Sequence, residues 1–192
     1  MSGGLRKTGA ALLTLLGAAL VASSLYMPAK AALAQFLLER AWARVEHGEA
    51  NAKPWPWADM SPLAEIEVPR LKARAIVLEG ASGQAMAFGP GHMANTPAIG
   101  ARGTAIVAAH RDTQFAMLKE VKIGDLVTAE TRDGKRTRFR VTSMRVVKAD
   151  ASGIDPAGTG PGGARLALVT CWPFDGVLHS PLRYVVMADR VN

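Results

Sequence analysis

Three residue types in the second half of the chain are those that thiol-based acyl transfer requires. Cys171 is the only cysteine among 192 residues. It closes the run Ala164-Arg165-Leu166-Ala167-Leu168-Val169-Thr170 and stands just before Trp172-Pro173-Phe174. His110 ends a second apolar run that starts at Thr104, and Arg183 opens a third, Leu182 to Ala188. A thiolate is the nucleophile, an imidazole takes and returns a proton, and a guanidinium keeps its charge. When a thiolate attacks a peptide carbonyl, negative charge grows on the oxygen. Arg183 and a backbone N–H, such as that of Trp172, suit the post of receiving it. His110 would then protonate the departing amine, and the intermediate would be a thioester on Cys171.

Each residue has a plainer reading beside this one. A lone cysteine often serves as a small core hydrophobe. His92, in the glycine-rich stretch Phe88-Gly89-Pro90-Gly91-His92, is a rival base, and so to a lesser degree is His179. His47 sits at the polar end of a helical pattern and reads as solvated. Asp112 reads as the cap of a short helix through Phe115, Met117, Leu118 and Val121, with orientation of His110 as its alternative.

The elements that must hold these side chains are mostly short strands. Pro173 lacks an N–H, so the strand carrying Cys171 should stop just past it and leave the thiol at an edge. Glu65 to Val68 alternates polar and apolar residues, and Ala75 to Leu78 is a short apolar run. Asp133-Gly134 is a hairpin signal between Leu126–Glu130 and Thr137–Val141. In the second of those strands Arg138 and Arg140 should face one way, Phe139 and Val141 the other. The basic run Arg132 to Arg145 then reads as a solvated sheet face. Ala151 to Gly163, with five glycines and two prolines, is a loop leading into the Cys171 strand. The Pro173 to Pro181 loop returns the chain so that Arg183 can lie near the thiol.

The first third differs in texture. Arg6-Lys7 precedes an uncharged stretch from Thr8 to Ala29. As a helix those positions span about 33 Å, enough for a bilayer core of about 30 Å. A cleaved signal peptide competes with a retained anchor, but the run exceeds the h-region of about 7–15 residues usual for such peptides. The basic residues before it predict a cytoplasmic N-terminus and an exported remainder. Ala31 to His47 continues as a helix capped by Gly48, and Asn51 to Asp59, with Pro54-Trp55-Pro56-Trp57, reads as a semi-rigid tether. Its indoles either pack on the domain or rest at a membrane interface.

Thr104 to Asp112, Leu168-Val169-Thr170-Cys171 and Arg183-Tyr184-Val185-Val186 together resemble the signatures of the sortase family. The resemblance covers roughly Pro62 to Asn192, and the N-terminal anchor with its Trp-Pro-Trp segment resembles the sortases of Gram-negative bacteria. Ala109 departs from the pattern, since many members carry glycine before the histidine. The family implies a mainly β fold, an eight-stranded sortase-type β-barrel with short helices, here preceded by an N-terminal transmembrane helix. It implies a cysteine transpeptidase cutting a sorting signal such as LPxTG between Thr and Gly, with Cys171 as nucleophile, His110 as general acid/base and Arg183 as oxyanion or substrate stabiliser. The chain then divides into an anchor over 1–30, a juxtamembrane helix and tether over 31–61, and a catalytic domain over 62–192.

Composition bounds the partners. A formal charge of +7 favours anionic surfaces, but no nucleic-acid motif and no aromatic–basic interleaving accompanies it. No Cys/His cluster has structural zinc spacing, and no cofactor is expected. The expected partners are a substrate protein bearing a sorting signal, an amine-bearing envelope acceptor and the lipid bilayer, with the working domain on the periplasmic side of an inner membrane. Two other functions stay open: a cysteine hydrolase of the same signal, and a non-catalytic envelope-anchored β-domain with its thiol buried. An L,D-transpeptidase is disfavoured because its compact Ser-His-Gly-Cys-type segment is absent.

Overall fold

In a computed structural model of the chain, the described residues are 2–49, 51–176 and 180–191. By Cα packing the chain divides into two compact units, Met1–Leu37 and Leu38–Asn192. Helix α1 runs Ser2–Glu46, so the anchor-like and juxtamembrane patterns share one uninterrupted helix. The expected span Thr8 to Ala29 lies inside it, although most of its side chains fall outside those described. Among the described residues, no helix is long and apolar enough to cross a membrane.

In the second unit, eight strands close into a barrel. They are β1 Pro62–Val68, β2 Ala73–Glu79, β3 Gly91–His92, β4 Gly103–Ala108, β5 Leu126–Thr131, β6 Arg136–Lys148, β7 Ala164–Cys171 and β8 Leu182–Val191. The order around the wall is β1-β2-β3-β4-β7-β8-β6-β5, and β1 pairs with β5 to close it. Closure leaves no long free edge, which a domain of short apolar strands would otherwise have to protect. The mainly β, eight-stranded expectation therefore describes this unit.

Period-two alternation sorts the side chains. Ile66, Val107, Val127, Phe139, Leu166, Leu168 and Val186 fill the interior. Along β6, Arg136, Arg138 and Arg140 are exposed while Thr137, Phe139 and Val141 are buried, as the sequence predicts. The 131–135 turn joins β5 to β6, with Gly134 at φ +74°, a conformation that glycine adopts without strain. A register shift between Val141 and Ser143 lets β6 run on as a 13-residue strand, well past the expected end at Val141.

Several local expectations change. The tether is folded against the domain: Ala52, Ala58 and Met60 are buried with Leu38, Trp42, Ile76 and Leu78, and Trp55 packs edge-on to Phe88 at 5.0 Å. Trp57 alone of the pair stays exposed. A four-residue helix α2, Gly83–Met86, capped by the Ser82 hydroxyl, and the two-residue β3 fall within stretches too short to give a period. The helix expected after Asp112 is only a 3-10 turn over Ala116–Lys119, entered through Phe115 without a side-chain cap.

Candidate active site

β7 ends on Cys171, and its thiol is half-buried, neither sealed in the core nor fully free. Its direct partner across the antiparallel ladder is Arg183, the second residue of β8. Such partners project from the same face of the sheet. The face is set by alternation. Interior positions of β7 and β8 are Leu166, Leu168, Val186 and Ala188, whereas Ala167, Val185 and Met187 join Ile106 in a separate apolar cluster on the outside. Half-buried Val169, Val147 and Ile154 extend that cluster. Cys171 and Arg183 continue the outer set, so both lie at the end of an apolar strip on the barrel's outer wall.

His110 reaches the same end of the wall by a different route. β4 runs parallel to β7 with Ala108 opposite Val169. The Ala109 N–H then donates to the Val169 carbonyl at 3.1 Å, and the Thr170 hydroxyl donates to the Ala109 carbonyl at 2.8 Å. The next residue is His110, which is exposed. Its backbone is thus fastened to the residues immediately before Cys171. Ala109 itself is buried among the interior residues, so its methyl group points into the core and away from the thiol face.

Arg183 donates through one terminal nitrogen to the Ser180 and Leu182 carbonyls, each at 2.9 Å. Among the described residues it has no carboxylate partner. The Trp172 N–H does not face an incoming carbonyl: it donates to Leu182 O at 3.1 Å, one more rung of the β7–β8 ladder. The expectation of that amide as an oxyanion donor is therefore corrected. Behind the thiol, Trp172 stacks on Tyr184 at 5.5 Å, and Phe174 stands edge-on to both. Burial pushes the Tyr184 phenol above its ordinary pKa, and its hydroxyl donates to Met144 Sδ at 3.3 Å.

The main rival base, His92, does other work. His92 is buried on β3, with Nε2 at 2.9 Å from the Pro97 carbonyl and 3.3 Å from the Thr96 hydroxyl, tying down the loop to β4. His47 is exposed with Nδ1 at 2.6 Å from Ala43 O. His179 lies outside the described residues. Asp112 caps no helix; its carboxylate lies 3.4 Å from Arg111 Nε. Among the described residues, no group of three or more His, Cys, Asp or Glu is placed to hold a metal.

Two residues that sequence reasoning did not single out matter here: Thr170, through its bond to Ala109, and Arg111, which reaches across to the turn after Cys171. The only available signal was their adjacency to Cys171 and His110.

A family model described as the sortase domain matches residues 66–191. Sortase D of Bacillus subtilis (strain 168) is 27% identical over 127 residues, covering 66% of this chain and 63% of that protein, a little under two thirds of its length. Among solved structures, a Sortase D5 transpeptidase of Clostridium perfringens superposes with a TM-score of 0.64. That likeness covers 84% of this chain and 99% of that one at 16% identity, so it speaks for the fold alone. A sortase E variant from Streptomyces avermitilis is 29% identical, with a TM-score of 0.56, covering 68% of this chain and 88% of that one. These relatives come from Gram-positive organisms, and the narrower likeness to sortases of Gram-negative bacteria is not shown by them.

Proposed function

Because the chain belongs to the sortase family, we propose that it is a membrane-anchored cysteine transpeptidase attaching proteins to the cell envelope, with 62–192 as its catalytic part. In this reading Cys171 Sγ, as thiolate, attacks the carbonyl of an LPxTG-like signal at the bond between Thr and Gly. Charge developing on the carbonyl oxygen is met by Arg183. His110 protonates the leaving amine as the C–N bond breaks, and a thioester remains on Cys171. An amine acceptor then attacks the thioester while giving a proton to His110, and as the C–S bond breaks the Cys171 thiolate leaves. The observation that carries this reading is the pairing of Cys171 with Arg183 at the end of β7, beside the chain that leads into His110. The adjoining apolar strip supports binding of the signal's Leu-Pro part.

Anchoring is part of the proposal. Arg6-Lys7 followed by the uncharged Thr8–Ala29 stretch supports a single span with a cytoplasmic N-terminus and a periplasmic working domain. Leu20, Val21, Leu25 and Tyr26 in that stretch are each more than half exposed on α1, and a bilayer would cover them. The narrower assignment to the sortases of Gram-negative bacteria rests on this anchor and the Trp-Pro-Trp segment.

The full chain in detergent, incubated with an LPxTG-type peptide library and a small amine, tests the reading. A covalent adduct on Cys171 and an amine-dependent product are expected. Release of free acid whether or not amine is present would instead identify a hydrolase. A thiol that forms no adduct and stays inert to alkylation until unfolding would identify a binding domain.

A further inference from the structure

Arg111 directly follows His110, yet its side chain turns away from solvent and is only 11% exposed. One terminal nitrogen donates to the Pro173 carbonyl at 2.6 Å, and the other donates to the Gly176 carbonyl. Its Nε faces Asp112, whose carboxylate is 69% exposed at 3.4 Å. Every nitrogen of this guanidinium is thus engaged, two of them by backbone more than sixty positions along the chain. The carbonyls it holds belong to the turn that begins two residues after Cys171. Gly176 is shaped for the contact: a Cβ there would come 2.9 Å from the Arg111 terminal nitrogen and 3.1 Å from the Pro173 ring.

Pairing up to this point fixes only backbone. Thr170 bonds the Ala109 carbonyl behind the two functional residues, and nothing in the β4–β7 ladder continues past Ala109. Beyond them Phe115 is anchored in the core and Phe174 packs against Trp172 and Tyr184, but no rung of that ladder joins the two chains directly to each other. The Arg111 fork closes that gap from the other side, so His110 and Cys171 are bracketed by a bond before them and a pair of bonds after them. A planar fork reaching two carbonyls at once suits arginine and not lysine, whose ammonium is a single point of contact.

We propose that Arg111 is a positioning residue, which sets the spacing of the His110 imidazole and the Cys171 thiol by stapling the turn Pro173–Gly176 to the His110 segment. It acts through those two residues and takes no part in binding the signal. The inference rests on the assignment of Cys171 and His110 as the reacting pair.

Three variants of the full chain test it: Arg111→Met, Arg111→Lys and Gly176→Ala. Alkylation of native wild-type Cys171 by iodoacetamide is measured first; an inert thiol there sinks the reading of the site and not the staple. With a reactive wild-type thiol, Arg111→Met should lower kcat for peptide acylation about 10- to 100-fold, the range a small misplacement of reacting groups produces. KM should stay within about twofold. Gly176→Ala should cause the same kind of loss from the opposite side of the contact, and Arg111→Lys should recover part of it. The double variant Arg111→Met/Gly176→Ala should be no slower than Arg111→Met alone, because both break one contact. Unchanged kcat in Arg111→Met, a rise confined to KM, or additive losses in the double variant would overturn the proposal.

Discussion

The Thr170 hydroxyl donates to the Ala109 carbonyl across 2.8 Å, joining the residue before Cys171 to the residue before His110. Both partners are buried, so neither is repaid by water if the bond is lost. Thr170→Val keeps the shape and deletes the donor. It should cost about 1–3 kcal/mol, the penalty for an unsatisfied buried acceptor. Turnover should fall beyond what the lost stability explains, while Thr170→Ser keeps the bond and most of the rate. Urea unfolding and initial rates on the same preparations check both parts.

Cys171→Ala should abolish the covalent adduct altogether, read by intact mass after incubation with peptide. Arg183→Lys retains the charge but loses the planar donor geometry. A rate loss on the order of 100-fold is expected, in the range seen when one oxyanion donor is removed. Near-wild-type turnover would remove Arg183 from the reaction. Circular dichroism of the Lys variant separates a kinetic effect from unfolding.

How far the sequence foretold this site follows from the range of each interaction. The strand ending at Cys171 was legible because a β-branched run and a following proline are local facts. So was the facing of Arg138 and Phe139, which alternation alone dictates. The length of the Pro173 to Pro181 loop allowed Arg183 to lie near the thiol, but its placement directly opposite Cys171 is a matter of register that the loop alone does not set. Arg111, Thr170 and the Trp172 amide were illegible in their roles, since each bonds to backbone that is near in space and far in sequence, or belongs to a ladder whose register no single strand contains. The docking of the Trp55 segment stayed one of two open readings for a related reason. Pro-Trp-Pro-Trp forbids regular structure but does not say whether the indole finds Phe88.

Asp125 gives the fold a pH-dependent fastening away from the site. Arg70 grips it bidentately, Nε to Oδ1 at 2.6 Å and a terminal nitrogen to Oδ2 at 2.7 Å, and the Lys122 N–H adds a third bond at 2.8 Å. These bonds, the Arg70 guanidinium foremost, hold the carboxyl below its ordinary pKa of 3.8. A depressed folded pKa means the stabilisation is complete above the unfolded value and is lost as the pH falls through the folded one. Asp125→Asn should therefore be less stable than the parent at pH 7 by about 1–3 kcal/mol. The gap should close progressively as the pH drops below 3.8. Paired urea titrations across that range give the answer, and a gap independent of pH would mean that the carboxylate's charge is not what stabilises.

The apolar strip beside the thiol makes its own demand on kinetics. Val147 is the cross-strand partner of Arg183 on β6 and packs half-buried against Ile106, Val185 and Met187. If the strip receives the apolar part of the signal, a neutral amide at its rim must be desolvated whenever peptide binds, at a cost felt equally in the ground state and the transition state. Val147→Asn, which adds no charge opposite Arg183, should then raise KM by about tenfold, roughly 1.4 kcal/mol of binding, and leave kcat nearly unchanged. Val147→Thr, nearly isosteric and only partly polar, should fall between the two. The half-buried position lets the domain tolerate either change, which a melting curve within a few degrees of the parent would verify. A loss confined to kcat would mean that Val147 supports Arg183 and that peptide binds elsewhere.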